Sequence, residues 1–330
     1  MLSDLRDLVG AAGPWFTIAI PTPSHLDDAR HRFEVEWKNA RAALSGTWGS
    51  DDLADVDRTV AGLPRDGGEA LVVVHAAGGR SLIEFLPQPI GEWMTAEGAL
   101  PRLAWVIEGR QRLVPHVVVE TDRAGADIHA FDRGNLLGSG HVDSETLHIH
   151  RGHPGGWSQR RFRHRAENTW ERNADEVAAA IADTDQRVGA EMVFIAGDVR
   201  AQTLVLDSLP ERVRAHAVRI DAGAPDGIAS EVGRHLADHV ARRTRDLSEQ
   251  VKNRLGSGTA STDTAEITEA LAAGRVEHLL VHDDGSDGPM TDGTRMIDAA
   301  IVAALRSDAD ITVVPGLAIL DGPLGALLRW

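Results

Sequence analysis

The sequence predicts an α/β protein of three domains, because apolar segments of strand length alternate with amphipathic segments of helix length along the chain. The 330 residues amount to roughly two ordinary domain lengths, which favours two or three domains. Hydrophobic residues make up 42% of the chain and charged residues 25%, so the composition is that of a globular protein rather than a disordered or fibrous one.

The composition also excludes several functional classes. The chain has no cysteine, which rules out disulfides, cysteine-ligated metal centres and a thiol nucleophile. No apolar run approaches the roughly 18 residues that a membrane-spanning helix needs. The beginning of the sequence lacks the basic-then-apolar order of a signal peptide. We therefore expect a cytoplasmic protein without a membrane partner.

Residues 1–114 are predicted to form the first α/β domain. Ser24 can cap a helix that runs into the early forties. Gly78 and Gly79 separate two apolar segments, as the turn of a β-hairpin does. Residues 44–68 are rich in Asp, Gly and Ser, and we expect them to be partly loop. The predicted strands of this domain are residues 15–20, 71–75 and 81–86.

The second predicted domain, residues 115–222, begins near Pro115. Its first two strands, residues 116–120 and 126–131, are expected to pair as antiparallel neighbours across a short turn. A helix, a strand, a helix and a strand then follow, which is an order typical of α/β domains. The predicted helices are residues 165–182 and 199–206, and the later strands are residues 191–196 and 215–220.

The third predicted domain, residues 226–330, follows a linker at residues 221–227. Apolar residues recur at helical spacing from Ile228 to Leu255 and predict one long helix. Gly274 is expected to end a later helix as its C-cap. Beyond the long helix, the predicted helices are residues 264–273 and 294–305, and the predicted strands are residues 276–282, 311–314 and 324–328.

One basic segment interrupts an acidic chain. The formal net charge of −16 argues against broad nucleic-acid binding, and we expect no DNA partner. Residues 151–172, however, contain six arginines and two glutamates, and three histidines lie within or just before them, at 150, 153 and 164. The basic segment could therefore form a localised contact with a phosphate-rich partner although the protein as a whole is acidic.

A glycine turn followed by a helix pattern occupies this basic segment. Pro154 and the two glycines after it disfavour regular structure, and glycine lets a backbone approach another surface closely. From Phe162 onward, apolar residues recur at helical spacing, and Arg161 and Arg165 share a neighbouring face. Guanidinium groups on such a face suit phosphate oxygens and base stacking. An ordinary solvated arginine face is the alternative.

The segment resembles the central loop of the class I translation termination factors of eukaryotes and archaea. That loop reads Gly-Gly-Gln-Ser, then two free positions, then Arg-Phe. The positions of this chain that match in register are Gly155, Gly156, Ser158, Arg161 and Phe162. Trp157 stands where the family has Gln. The family loop likewise follows β-strands and leads into a long helix.

The end of the chain extends the resemblance. Residues 267–280 are similar to a helix–glycine–strand unit of the family's third domain, and residues 321–329 are similar to its closing strand. The chain looks like a member of the bacterial, largely actinobacterial, branch of the release-factor and Pelota superfamily, which includes Balon-like ribosome hibernation factors. The resemblance implies a ribonuclease-H-like central domain and a ribosomal-L7Ae-like C-terminal domain with α/β/α layers. It covers residues 115–330 and reaches residues 1–114 only weakly, where the stop-codon element Asn-Ile-Lys-Ser is missing.

The resemblance implies a ribosome-binding function. In termination factors the loop Gln positions water against the peptidyl-tRNA ester, and the bulky ring of Trp157 argues against that hydrolysis. We therefore expect a factor that occupies the A site of the 70S ribosome and silences translation, with residues 153–165 reaching the peptidyl-transferase centre. Elongation factor Tu is the expected partner, and the first domain is expected on the decoding-centre side. The expected rRNA or tRNA contacts are His153, Gly155, Gly156, Trp157, Ser158, Gln159, Arg160, Arg161, Arg163 and Arg165.

Three alternatives remain open at the level of sequence. The first is an enzyme or rescue factor that hydrolyses peptidyl-tRNA, or a tRNA nuclease of the Vms type. The second is a stress or signalling protein that keeps only the fold. The third is a metal site at His148 and His150 or at His282 and Asp283, but the further ligands that a metal needs are not evident. We expect no catalytic residue, no metal and no cofactor.

Overall fold

The computed structural model describes residues 2–22, 29–44, 48–63, 68–122, 125–132, 135–143, 146–150, 170–286, 288, 290–291, 293–314 and 322–330. Backbone packing divides the chain into two compact units. The terminal unit consists of residues 1–111 and 242–330, and the central unit consists of residues 112–241. Both contain sheets covered by helices, which confirms the predicted α/β class. The three domain boundaries drawn from the sequence remain predictions.

The N-terminal segment of the terminal unit is a four-stranded sheet with four helices. Its elements are α1 (Ser3–Leu8), β1 (Trp15–Pro21), α2 (Ala29–Ala42), α3 (Ser50–Ala61), β2 (Ala70–Ala76), β3 (Ser81–Leu86), β4 (Met94–Gly98) and α4 (Ala104–Arg112). The strands are antiparallel neighbours in the order β3-β2-β1-β4. All three predicted strands are confirmed, and β4 is an additional one that the sequence analysis missed.

Strands β1 and β2 are buried on both faces because a hydrophobic core packs against each face of this sheet. On one face, Phe16 and Ile18 pack with Phe33 of α2 and Val56 of α3. On the other face, Trp15 belongs to a core that the C-terminal segment of the same unit completes. Burial on both faces explains why these strands are continuous apolar runs rather than alternating ones.

Residues 44–68, which were predicted to be partly loop, contain a helix, α3, that the sequence pattern did not identify. Leu53, Val56 and Val60 recur at helical spacing and turn one apolar face of α3 toward the core. The aspartates between them, which gave the segment its loop-like composition, occupy the outer side of a helix. The proposed cap Ser24 lies outside the described residues.

The central unit is built on a six-stranded sheet. Its elements are β5 (His116–Thr121), β6 (Gly125–Asp132), β7 (Asn135–Asp143), β8 (Thr146–His150), α5 (Trp170–Val188), β9 (Met192–Gly197), α6 (Val199–Ser208), α7 (Glu211–Arg214), β10 (Ala217–Arg219) and the first half of α8 (Pro225–Arg254). The strand order is β10-β9-β5-β6-β7-β8. Strands β5 to β8 form an antiparallel meander, and β9 and β10 add to β5 in parallel. This is the ribonuclease-H-like topology that the resemblance implied.

Helices cover both faces of the central sheet. On one face, Val177 of α5 and Val205 of α6 pack against Val117 and Val119 of β5. On the other face, Ile228 and Val232 of α8 pack against Val118 and Phe194. Helix α5 extends six residues beyond the predicted end at residue 182.

The C-terminal segment of the terminal unit is a second, smaller α/β sheet. After a 3-10 turn (Leu255–Ser257), its elements are β11 (Ala260–Ser261), α9 (Thr264–Ala272), β12 (Val276–Val281), β13 (Met290–Thr291), β14 (Thr294–Arg295), α10 (Met296–Arg306), β15 (Asp310–Val313) and β16 (Leu324–Leu328). The main sheet has the order β11-β16-β12-β15. Helices α9 and α10 pack on one face and Val251 of α8 on the other, so the expected α/β/α layering is confirmed. Gly274 follows α9 at φ 67°, as a C-cap glycine does.

The two segments of the terminal unit share one core and several polar contacts. The side-chain amide of Gln111 forms two hydrogen bonds with the backbone of Val313 on the edge strand β15. Its Nε2 donates to the Val313 carbonyl at 2.6 Å, and its Oε1 accepts from the Val313 N–H at 3.0 Å. Arg6 forms an ion pair with Asp308 at 3.0 Å. Within the described part of the chain, no helix is both long and apolar enough to span a membrane.

Candidate functional site

The described structure fixes both ends of the basic segment. Strand β8 ends at His150 and helix α5 begins at Trp170, so residues 151–169 connect the meander to the long helix. All ten predicted contact residues, from His153 to Arg165, lie outside the described residues. The contacts assigned to them therefore stay predictions. What the structure gives is the framework on which this segment is mounted.

A row of ionisable side chains crosses three neighbouring strands of the meander. The register places Glu120 of β5 opposite Asp127 of β6, and Asp127 opposite His141 of β7. The ring Nδ1 of His141 lies 2.8 Å from the Asp127 carboxylate, to which it donates. Burial, and then the nearby Asp127 carboxylate, raises the pKa of Glu120. Burial lowers the pKa of His129, while Asp127 acts in the opposite direction.

This row does not by itself assemble a metal site. Within the residues that the structure describes, no group of three or more His, Asp or Glu side chains is arranged to hold a metal ion. The register pairs the backbones of His141 and His148, whose side chain is outside the description. The expectation that His148 and His150 hold no metal stays a prediction. Asp127 and His141 were not among the residues singled out from the sequence, because their pairing depends on the register of β6 and β7.

A small groove lies at the end of the sheet where β5 and β9 end, next to the Glu120–Asp127–His141 row. It opens beside the first turns of α5. The lining includes Thr121, Asp122 and Asn173. The Oδ1 atom of Asn173 is buried and has no hydrogen-bond partner in the described part of the chain. The groove is therefore polar at the same end of α5 that receives the basic segment.

Gly197 and Asp198 shape this edge of the sheet. Gly197 ends β9 at φ 111°, directly opposite Thr121 of β5. The Asp198 carboxylate then caps α6 by accepting from the N–H groups of Arg200 and Ala201 at 3.1 and 3.2 Å. A strand, a sharp glycine turn and a capped helix thus follow one another without a loop.

A buried carboxylate anchors the far end of α5. Asp185 is only 3% exposed, and it accepts from the ring Nε2 of His216 at 2.7 Å and from the Arg212 guanidinium. These contacts tie α5 to α7 and to the start of β10. Helix α5 is therefore held on the sheet at its C-terminal end as well as by its apolar face.

A meander followed by a long helix packed back on the same sheet is the arrangement that the resemblance to release factors implied on either side of Gly155 and Gly156. Residues 115–257 match the model of the bacterial archaeo-eukaryotic release factor family 2. This region is thus similar to bacterial proteins of the release-factor superfamily, as the sequence resemblance indicated. The matched region contains the central unit from β5 onward and the whole of α8.

Full-length relatives and solved structures extend this comparison. Two proteins of Mycobacterium tuberculosis, MT2704 and Rv2629, are each 26% identical over 360 residues, covering 99% of this chain and 96% of the relative. Archaeal Pelota, from a model of ribosome-bound Pelota and ABCE1, is 18% identical, covers 100% of this chain and 94% of its own, and has a TM-score of 0.44. Yeast Dom34, a translation termination-like factor interacting with Hbs1, is 10% identical with 78% and 75% covered and a TM-score of 0.45. Scores this low do not bear on how the domains are arranged.

Proposed function

We propose that this protein binds the 70S ribosome, occupies its A site and silences translation, with residues 153–165 reaching the peptidyl-transferase centre. The observation that carries the proposal is the release-factor family match over residues 115–257, which includes a glycine loop whose catalytic Gln is replaced by Trp157. The basic segment of an otherwise acidic chain supports the same function, because rRNA and tRNA present phosphate.

The residues of the segment divide by chemistry. Gly155 and Gly156 supply a backbone slim enough for a narrow RNA-lined space. Trp157 offers a flat ring, and stacking of a base on an aromatic ring contributes about 1–3 kcal/mol. The arginines at 160, 161, 163 and 165 neutralise phosphates, and a guanidinium does this with two parallel hydrogen bonds. His153, Ser158 and Gln159 add further hydrogen-bonding groups to RNA.

The proposal includes elongation factor Tu as a partner and the cytoplasm as the place of action. Both follow from the expected kinship with Balon-like hibernation factors. Residues 1–114 would face the decoding centre without reading a stop codon, since the Asn-Ile-Lys-Ser element is missing.

The first prediction concerns the arginine face. Arg161→Glu/Arg165→Glu should weaken binding to vacant 70S ribosomes by more than about 100-fold, because two phosphate contacts become repulsive. Arg200→Glu/Arg219→Glu changes the net charge equally at exposed positions of the central unit and should leave the Kd within about twofold. The measurement is ribosome pelleting at fixed salt over a protein concentration series. If both variants lose affinity equally, the loss is caused by the change in net charge and not by the arginine face. If Arg161→Glu/Arg165→Glu binds ribosomes like wild type, the proposal is contradicted.

The alternative function is peptidyl-tRNA hydrolysis or tRNA cleavage, and the retained Gly155, Gly156 and Ser158 favour it. We propose instead that the protein is not an enzyme. Purified protein added to 70S complexes with peptidyl-tRNA in the P site should release no peptide and leave the tRNA intact. Release or cleavage that disappears in Gly156→Ala or Gln159→Ala would establish the enzyme alternative.

A further inference from the structure

Histidines are concentrated on the meander of the central unit. Strands β5 to β8 contain five of the chain's 15 histidines and no arginine or lysine. The register pairs His141 of β7 with His148 of β8, and Ser139 with His150. Residues directly opposite each other, and residues two apart on one strand, lie on the same face of a sheet. His141, His148 and His150 therefore share one face at the edge of the sheet.

This face is the one turned away from α5. The alternate residues of the same strands, such as Ile128 and Val142, belong to the core under α5. Helix α8 packs on the face only near β5 and β9, where it contacts Val118. Among the residues that the structure describes, the side chains of Asp127 and His141 remain 34% and 43% exposed. An ion in solution can therefore reach them.

The strand register brings three imidazoles within range of one ion. Side chains directly opposite each other in an antiparallel pair have Cβ atoms about 4.5–5.5 Å apart, and diagonal neighbours stay within reach of aromatic or long side chains. His141 lies opposite His148 and diagonal to His150. Three histidine ligands and one open position form an established type of zinc site, with Zn–N distances of about 2.0–2.1 Å. Strand pairing thus supplies the further ligand that the sequence pattern of His148 and His150 lacked.

The Asp127 carboxylate provides the group that commonly supports a metal-binding histidine. An ionised carboxylate only accepts hydrogen bonds, so the ring Nδ1 of His141 donates to Asp127 at 2.8 Å. The lone pair of the neutral ring is then on Nε2. Histidines that bind metals almost always donate their other ring nitrogen to a carboxylate, a carbonyl or water, which fixes the tautomer and the ring orientation. Glu120, opposite Asp127 on β5, adds a second carboxyl group to the face.

The ligand chemistry selects the class of ion. Imidazole nitrogen suits Zn²⁺ and other transition-metal ions, whereas Ca²⁺ and Mg²⁺ take oxygen ligands. The described side chains alone form no group of three that could hold a metal. Two of the three candidates, His148 and His150, are placed by the backbone of β8, and their side chains lie outside the description.

We propose that this face binds one zinc-type transition-metal ion, with His141, His148 and His150 as the ligands and Asp127 as the positioning residue for His141. The inference replaces the sequence-based expectation of no metal and does not depend on ribosome binding. The ion would join the edge strand β8 to β7, immediately before the basic segment. The fourth coordination position would be open to water.

The test uses the full-length protein without a histidine tag, treated with EDTA and then dialysed. Isothermal titration calorimetry with ZnCl₂ measures the stoichiometry and the Kd. The ligand variants are His141→Ala, His148→Ala and His150→Ala, and Asp127→Asn tests the positioning role. His31→Ala, which removes an exposed imidazole of α2, is the matched control. Circular dichroism verifies that each variant is folded, and thermal unfolding with and without ZnCl₂ forms a second arm.

We expect the wild type to bind one Zn²⁺ per chain. Each ligand variant should bind it more than about 100-fold more weakly, and Asp127→Asn about 10–100-fold more weakly. The Kd of His31→Ala should stay within about twofold of the wild-type value. Zn²⁺ should raise the unfolding temperature of the wild type and leave that of His148→Ala unchanged, because only a folded chain with all ligands binds the ion.

Two results overturn the inference. One is the absence of saturable Zn²⁺ binding by the wild type. The other is one-to-one binding that the ligand variants retain with the wild-type Kd, since the ion would then be held elsewhere. Wild-type affinity in Asp127→Asn overturns the positioning role alone. If one ligand variant does not fold, the other two decide. Ribosome pelleting is a separate measurement, so the proposed function stands or fails independently of these results.

Discussion

Gly197→Ala is expected to destabilise the central unit by about 3–6 kcal/mol, which is enough to unfold many domains of this size. A Cβ at this position would lie 1.9 Å from the backbone carbonyl oxygen of Thr121, in the neighbouring strand β5. Backbone atoms of a central strand pair cannot move aside without breaking the β5–β9 ladder. The φ of 111° adds conformational strain, because residues with a Cβ rarely adopt it.

Gly189→Ala is the matched control for this prediction. Gly189 also has a positive φ, of 61°, but a Cβ there would meet nothing within 4 Å. Only the left-handed backbone penalty of about 1–2 kcal/mol should appear. Urea denaturation followed by far-ultraviolet circular dichroism measures both changes. Equal losses in the two variants would mean that the close approach of β5 and β9 is not what requires glycine at position 197.

The second large effect is expected where one buried guanidinium meets two carboxylates. Arg295, which is 3% exposed, binds Asp283 through both terminal nitrogens and lies 3.1 Å from Asp298 of α10. Asp283→Asn should cost about 3–5 kcal/mol at pH 7, because it breaks the bidentate pair of a buried charge. Asp298→Asn should cost less than about 1 kcal/mol at this pH, since it leaves one carboxylate for one guanidinium.

The pH dependence separates the two carboxylates. Burial raises the pKa of Asp298 to about 6 against the attraction of Arg295, compared with 3.8 for an ordinary Asp. Because the pKa of Asp298 is higher in the folded than in the unfolded state, its protonation stabilises the folded state. This contribution to the free energy of unfolding is complete below pH 3.8 and is lost as the pH rises through about 6. That loss amounts to about 3 kcal/mol.

Asp298→Asn has no such titration. The free energy of unfolding of Asp298→Asn, measured relative to that of wild type, should therefore increase between pH 4.5 and pH 7. Asp283→Asn should remain strongly destabilised at pH 7. Urea denaturation at several pH values measures both differences. A difference between Asp298→Asn and wild type that does not change with pH would contradict the raised pKa.

Helical and strand periodicity located most elements, and the misses have physical reasons. Strand β7 was missed because Gly138 and Gly140 occupy the positions opposite Ala130 and Ile128, where apolar side chains would otherwise show the alternation. Helix α3 was missed because aspartates dominate its outer side. Local sequence patterns could not predict that the two ends of the chain share one core. Gln111 and Val313, which are hydrogen-bonded there, are 202 positions apart in sequence.

The candidate site was predictable in a different way. A count of charges along the chain located the basic segment. Its proposed function came from the resemblance to a known family loop, which aligns with Gly155, Gly156, Ser158, Arg161 and Phe162. The Asp127–His141 pair and the Asn173 groove depend on strand register and helix placement, which no sequence motif encodes.

Occupation of the ribosomal A site is tested most directly by the puromycin reaction. Vacant-A-site 70S ribosomes with a formylmethionyl-tRNA in the P site transfer formylmethionine to puromycin only when the A side of the peptidyl-transferase centre is open. The account predicts that wild-type protein blocks this transfer at concentrations that saturate pelleting, and that Arg161→Glu/Arg165→Glu does not. Full-rate transfer on ribosomes that carry the wild-type protein would contradict the account, because the loop would then lie elsewhere.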